Sequence, residues 1–276
     1  VKAFILAAGQ GSRLLPLTSE TPKTLLNISG TTILEYQLVT LASCGIHEVV
    51  IIGGFRMDKL REAAERYVAL HGLNLTLKFI HNNEYDRTNN LFSLWLAREE
   101  MTGDFVVING DNVFDRRALI RSMAVKDASV IMAIHRNPSY DDEDMKVRIA
   151  GDRVIEVSKK IDNPIANGES IGLRIFRGPG VEGFRHAMDM EMLEDVERKA
   201  FFVKAIQYMI DHSHEVAYAD VTEYQYGELD FHEDLKDLQL SLSGMMLQTI
   251  MLYTNPAGIY AQAFNAYGST AMKRAG

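Results

Sequence analysis

Short apolar runs alternate along the chain with stretches that repeat at helical spacing. The first run, Phe4-Ile5-Leu6-Ala7-Ala8, passes straight into glycine, which suits a buried strand and not a helix. Residues 31–44 place Ile33, Leu34, Gln37, Leu38 and Leu41 at helical spacing, with Thr31 or Thr32 to start the helix and Gly45 to end it. Residues 47–55 read as a second parallel strand broken at Gly53-Gly54. Residues 57–70 form a helix with mixed charges on its outer face, and 75–80 a short strand. This β-α-β-α-β order predicts a parallel sheet with right-handed crossovers. Ligands of such sheets sit beyond the carboxyl ends of the strands, where these glycine turns lie.

The alternation continues. Residues 91–100 read as a helix capped by Asn89 or Asn90, with Leu91, Leu94 and Trp95 inward. Strands follow over 104–109 and 128–136, then a hairpin over 146–160 that turns at Gly151-Asp152, then a return strand over 168–176. Helices are expected over 178–194 and 199–213, a late strand over 214–221 returning to the main sheet, and a final helix over 231–240. Residues 1–240 read as one domain. Residues 241–276 form an extension rich in Met, Ala and Tyr, broken by Asn255-Pro256 and too short in its apolar stretch for a membrane span. It is expected to pack against the domain or a sister subunit, or to touch a membrane surface peripherally. No internal repeat is visible.

Composition narrows the partners. The 276 residues are 47% hydrophobic and 24% charged, a globular balance, and a formal net charge of -8 argues against nucleic acid. Cys44 is the single cysteine, so no internal disulfide and no CxxC metal site can form. That fits a cytoplasmic protein. The N-terminal apolar run is too short for a signal peptide. The eight histidines are scattered, and His212 and His214, the nearest pair, do not have the setting of a metal site.

The chemistry concentrates after the first strand. Gly9 and Gly11 let the backbone turn tightly and approach a ligand with its N–H groups inward, and Arg13 and Lys23 can reach the same place. Amides, a forked donor and a point charge suit a polyphosphate. A dinucleotide fingerprint is excluded by Leu14 at its third glycine position, and the P-loop pattern is absent. The full string LAAGQGSRLLPLTSETPK resembles the signature of the nucleotidyltransferase family that activates sugar 1-phosphates and phospho-alcohols. That resemblance implies a Rossmann-like, mostly parallel α/β sheet flanked by helices, of the nucleotide-diphospho-sugar transferase type, with a small β-rich acceptor subregion. It implies that Leu6, Ala7, Ala8, Gly9 and Gly11 bind a nucleoside triphosphate, that Arg13 holds its β- and γ-phosphates, and that Lys23 contacts the α-phosphate.

Residues 82–94 resemble the YxxxNNxxSL segment of choline-phosphate cytidylyltransferases, which lies beside the nucleotide. Asn89, Asn90 and Ser93 thus become candidates for reading the base. Gly110-Asp111-Asn112 follows the 104–109 strand; Gly110 and Asp111 are expected at the nucleotide, and Asp111 is either an Asx turn or a divalent-metal ligand. The resemblance favours the metal, and its aromatic-x-E-[IVL]-D motif makes Asp230 the second ligand of Mg²⁺. Four carboxylates between Asp141 and Asp144 read as a solvated loop or as a flank of the acceptor pocket that favours a cationic substrate. Lys159 and Lys160 are either an exposed basic pair on a loop or supply the lysine that grips the acceptor phosphate; the resemblance favours Lys159 in that role and makes Glu169 a candidate acceptor contact. An anionic acceptor oxygen then attacks the α-phosphorus with no general base. The cations and Mg²⁺ screen the repulsion. The resemblance covers roughly residues 1–240 and is nearest to choline-phosphate and aminoalkylphosphonate cytidylyltransferases. It implies CTP and a small acceptor such as phosphocholine or 2-aminoethylphosphonate, with a product used in surface glycan or lipid decoration. The rivals are a sugar-1-phosphate nucleotidyltransferase and a non-catalytic nucleotide-binding regulatory protein.

Overall fold

The computed structural model describes residues 1–254. In chain order the elements are β1 (Lys2–Ala7), β2 (Asn27–Ile28), β3 (Thr31–Thr32), α1 (Ile33–Ser43), β4 (Glu48–Gly53), α2 (Met57–His71), β5 (Thr76–His81) and α3 (Asn90–Leu96). Then come β6 (Phe105–Asn109), β7 (Asn112–Phe114), α4 (Arg116–Met123), β8 (Val130–His135), β9 (Lys146–Ala150), β10 (Arg153–Val157) and β11 (Gly168–Phe176). The chain continues through α5 (Pro179–Glu194), α6 (Val203–Asp211), β12 (Val216–Asp220), β13 (Tyr226–Glu228), α7 (His232–Ser241) and α8 (Ser243–Thr254).

Nine strands make the main sheet in the order β5-β4-β1-β6-β11-β8-β12-β10-β9. β5, β4, β1 and β6 are parallel, β11 runs against β6 and β8, and β12 is parallel to β8. Seven of the nine strands therefore point one way, and β11 and β10 run against them. Strand residues point alternately to opposite faces, and this builds two cores. Ile5, Ile51, Ile108 and Leu173 pack with α1, α2, α4, α7 and α8 on one face. Phe4, Ile52, Val107 and Met132 pack with α3, α5 and α6 on the other. The central strands are buried on both faces, which is why they read as continuous apolar runs.

Strand order reverses at β1: β4 lies on one side of it and β6 on the other. The crevice beyond the carboxyl ends of β1 and β6 is thus a topological switch point, where such sheets bind ligands. Gly110 keeps that crevice narrow, because a Cβ there would stand 2.5 Å from the Leu6 carbonyl oxygen.

Some expected boundaries shift. α1 starts with a capping box in which Thr32 and Glu35 satisfy each other's backbone N–H. The helix expected over 91–100 ends at Leu96, and a separate single turn spans Arg98–Glu100. Trp95 is half-buried, with its Nε1–H donating to Asp189 at 2.7 Å, and Phe92 takes the inward place. The helix expected from 199 begins at Val203. The preceding residues are tied to the α3 start: Asn89 N–H donates to Arg198 O at 2.8 Å and Phe202 N–H to Asn90 Oδ1 at 2.8 Å. The β7–β13 ribbon, with Asn112 opposite Glu228, was not expected from sequence. In the expected extension, α8 packs on α1 with Met246 and Ile250 buried; residues 255–276, including Asn255-Pro256, lie outside the described residues.

Candidate active site

Two small cavities meet at the carboxyl edge. The first, about 250 Å³, is walled on one side by Leu6, Ala7, Ala8, Gly9 and Gly11 as they leave β1. Asn89, Asn90 and Ser93 from the start of α3 form a second wall, and Gly110 and Asp111 the floor with Lys23. Gly11 has φ 76°, and its hypothetical Cβ would stand 3.0 Å from Lys23 Cβ. Glycine is thus required twice there, for the left-handed turn and for passage of the lysine. Thr18 Oγ1 donates to Gly11 O at 2.8 Å and pins the loop, while fully buried Leu14 anchors its far side. In the second wall, buried Asn82 donates to Ser93 Oγ at 2.9 Å and to Thr88 Oγ1 at 3.0 Å. Asn89 caps its helix by accepting from Asn90 N–H.

The second cavity, about 260 Å³, shares Asn90, Asn109, Asp111 and Phe201 with the first. Arg13, Glu143 and Lys159 border it, and so do Glu169, Arg174, Glu228 and Asp230. Lys160 does not; it borders a separate groove along α6.

Lys23 stands where the cavities join. Its Nζ donates to Asp111 Oδ2 at 2.7 Å and to Asp230 Oδ1 at 2.9 Å. Burial alone would lower the lysine pKa, but the two carboxylates outweigh it and hold the ammonium above its ordinary value. Burial would raise the Asp230 pKa, but Lys23, with Arg13 and Lys159 behind it, holds the carboxyl below its usual value. The β7–β13 ribbon brings the two aspartates together, since Leu229 N–H donates to Asp111 O at 3.2 Å. Asp234 at the start of α7 accepts from the N–H groups of Asp230 and Phe231 at 2.8 and 2.7 Å and fixes that end of the ribbon. Gln37 on α1 holds the other end, donating to the carbonyls of Asn109 and Asn112 at 2.8 and 2.9 Å.

Arg13 is half exposed over the Phe231 ring, 4.9 Å from guanidinium to centroid. It meets Glu143 at 3.3 Å, and Lys159 Nζ meets the same carboxylate oxygen at 3.1 Å. The acidic run is therefore not a plain solvated loop: Glu143 bridges two of the sequence-predicted cations. Glu169 is buried and accepts from Tyr226 Oη at 2.5 Å and from Asn137 Nδ2 at 2.6 Å. Burial, with Asp144 and Asp141 nearby, pushes its carboxyl up to about 7 against those two hydrogen bonds. Burial also raises Glu228, whose carboxylate accepts from Asn112 Nδ2 at 2.6 Å.

Sequence reasoning missed Arg174, Glu228 and the hydroxyl of Tyr226, while Glu143 belongs to the acidic run for which a place beside the acceptor pocket is one of two readings. Arg174 lies inside an apolar strand pattern and carried no signal. Glu228 stands in the E-[IVL]-D motif, two residues before Asp230, and that spacing was the available clue.

A family model described as nucleotidyl transferase matches residues 2–219. The chain is 36% identical over 112 residues to a choline-phosphate cytidylyltransferase of Streptococcus pneumoniae, covering 41% of this chain and 45% of that protein. It is 38% identical over 133 residues to a CMP-5'-(3-aminopropyl)phosphonate synthase of Streptomyces rubellomurinus, covering 48% of this chain and 20% of that protein. These alignments thus span less than half of either relative. Among solved structures, an inositol-1-phosphate CTP transferase from T. maritima superposes with a TM-score of 0.73 at 20% identity, over 90% of this chain and 96% of that one, a likeness of fold.

Proposed function

The chain belongs to the nucleotidyl transferase family, and from that premise we propose that it transfers the cytidylyl group of CTP to a small phosphorylated alcohol, amine or phosphonate, releasing pyrophosphate. One observation carries the reading: Lys23, Asp111 and Asp230 meet between a cavity walled by strand-end glycines and a second, charged cavity.

The division of labour follows from the walls. The glycine turn and the α3 start take the nucleotide, with Asn89, Asn90 and Ser93 beside the base. Arg13, half exposed at the mouth, grips the leaving pyrophosphate as a fork. Lys159 holds the acceptor phosphorus group, since it borders the second cavity and Lys160 does not. Asn109 and Asp111, common to both cavities, mark where the α-phosphorus and the attacking oxygen come together. The attacking oxygen is already anionic, so no base is needed, and Lys23 neutralises charge that builds on the α-phosphoryl group.

Mg²⁺ fits this site. Asp111 Oδ1 is buried with no hydrogen-bond partner, and the Lys23 ammonium stands as a cation between the two carboxylates. Among the described residues no three His, Cys, Asp or Glu side chains converge. Asp111 and Asp230 would hold the ion, with phosphate oxygens and water completing its shell. When bound it would supply charge screening between the two phosphorus groups.

Glu169 and Glu228 line the acceptor cavity and favour an acceptor with a cationic amine. The test is a pyrophosphate-release screen of four nucleoside triphosphates against phosphocholine, 2-aminoethylphosphonate, inositol phosphate and glucose 1-phosphate. Release with CTP and an amine acceptor is expected. Release confined to glucose 1-phosphate would move the chain to the sugar-activating branch, and nucleotide binding with no release from any pair would end the enzyme reading.

A further inference from the structure

Arg174 has no task in the transfer described above. It is 2% exposed and forms part of the wall of the second cavity. β11 reaches it through a register shift between Ser170 and Arg174, where Gly172 has φ 76°. Its guanidinium donates to Ser170 Oγ at 2.9 Å and to Asn109 Oδ1 at 3.3 Å, and its Nε finds no acceptor. The Phe202 ring covers it, 4.9 Å from guanidinium to centroid. Its hydrogen-bond partners among the described residues are thus neutral, while the carboxylates of Glu228 and Asp111 stand near enough to favour its charge without bonding to it.

Burying a guanidinium is costly unless an anion hydrogen-bonds to it directly. Burial brings its pKa down to about 10, so the group remains charged at neutral pH. A guanidinium with an unused N–H, on a residue that lines a cavity, is suited to a carboxylate. The rest of the cavity sorts by charge as well. Arg13 and Lys159 stand at the exposed mouth, and Glu169 and Glu228 lie inside. A cavity of about 260 Å³ suits an acceptor of amino-acid size.

We propose that the acceptor carries a carboxylate besides its phosphorus group and its amine, and that Arg174 binds that carboxylate. The acceptor class is then a phosphorylated amino acid or its phosphonate analogue. The proposal rests on the cytidylyl-transfer reading and adds to it a group that neither phosphocholine nor 2-aminoethylphosphonate possesses.

The test compares pairs differing by one carboxylate: O-phosphoserine against phosphoethanolamine, and 2-amino-3-phosphonopropionate against 2-aminoethylphosphonate. Pyrophosphate release from CTP is measured with the full chain and Mg²⁺. The carboxylate member of a pair should have kcat/KM about 100-fold higher, since a site built to bind a polar group rejects the analogue lacking it. Arg174→Lys should erase most of that preference, lowering kcat/KM far more for the carboxylate member of each pair than for its carboxylate-free partner. Should Arg174→Lys fail to fold, the unaltered protein with CTP is melted with each acceptor, and the carboxylate member must raise the Tm further. Equal or better turnover of the carboxylate-free members overturns the proposal and leaves cytidylyl transfer standing. An equal loss with every acceptor in Arg174→Lys also overturns it, because the arginine would then hold the phosphorus group. No release from any nucleotide with any acceptor overturns the transfer reading, and this proposal with it.

Discussion

At the scale of single residues, Lys23 and Glu169 give opposite lessons about burial. Lys23 is paired twice, to Asp111 and Asp230, and its charge is secured. Replacing it by Met leaves two carboxylates facing each other with no cation between them. Lys23→Met should lower kcat by about 100-fold or more, the size of a lost transition-state clamp, while the CTP KM changes far less. A variant with kcat within a few-fold of the parent would remove Lys23 from the chemistry. Glu169 is buried with partners that do not neutralise it. Tyr226 and Asn137 donate to it, Asp144 and Asp141 repel it, Glu228 feels its charge, and Lys146 is its register neighbour on β9. Its carboxyl rises from 4.5 to about 7 on folding. Between those values the folded chain binds more protons than the unfolded one, so stability falls as pH rises through the window and stays reduced above it. The loss is roughly 3 kcal/mol, at 1.36 kcal/mol for each pH unit. Glu169→Gln removes the titration. Urea denaturation from pH 4.5 to pH 8 should show the variant level with the parent at the acid end and more stable at the alkaline end. Parallel curves for the two proteins would refute the burial cost.

At the scale of elements, legibility follows distance along the chain. The β1 strand, its glycine exit and Lys23 lie within 23 residues, and local periodicity with turn chemistry was enough to place them. Leu6, Ala7, Ala8, Gly9, Gly11, Asn89, Asn90 and Ser93, expected beside the nucleotide, line the first cavity with Gly110 and Asp111, whereas Arg13, expected at the β- and γ-phosphates, borders the second. The β7–β13 ribbon joins two three-residue strands across more than 100 positions, too short for any period to show. It nevertheless decides whether Asp111 and Asp230 meet. Arg174 was illegible for a different reason: a single charge in an apolar strand looks like an edge residue until a bulge turns it inward. That bulge depends on Gly172, whose added Cβ would lie 2.2 Å from Asn112 Oδ1 at a φ of 76°. Gly172→Ala should destabilise the fold by about 1–3 kcal/mol and also lower kcat, because Asn112 adjoins Asp111. Gly151→Ala is the control. It too has positive φ, 61°, but nothing stands within 4 Å of the new methyl. It should show the backbone cost in a denaturation curve and no change in kcat. Equal kcat losses in both would mean that contact with Asn112 is irrelevant.

At the scale of the whole molecule, the site is assembled from distant parts of the chain, and α8 lies behind it. Met246 and Ile250 of α8 enter the core shared with α1. Tyr36 on α1 donates to the Phe114 carbonyl at 2.8 Å, and Gln37 beside it holds Asn109 and Asn112. A path of packed side chains and hydrogen bonds therefore runs from α8 through α1 to the ribbon bearing Asp111. Spatial continuity alone does not establish energetic coupling, but here two roles are separable. If α8 serves stability, Met246→Ala should cost about 2–5 kcal/mol, as a fully buried Met does. Its kcat at 25 °C should stay within about twofold, because folded molecules retain the ribbon. If CTP is the nucleotide and binds only the folded chain, then at 100 times its Kd it should return about 2.7 kcal/mol, and the Tm of Met246→Ala should recover accordingly. If α8 instead sets the position of Asp111, the variant should lose kcat at a temperature where it is fully folded, and saturating CTP should not restore it. Paired melting curves and kcat values for Met246→Ala with and without CTP decide between the two. The complete burial of Met246 against α1, well away from both cavities, favours the first.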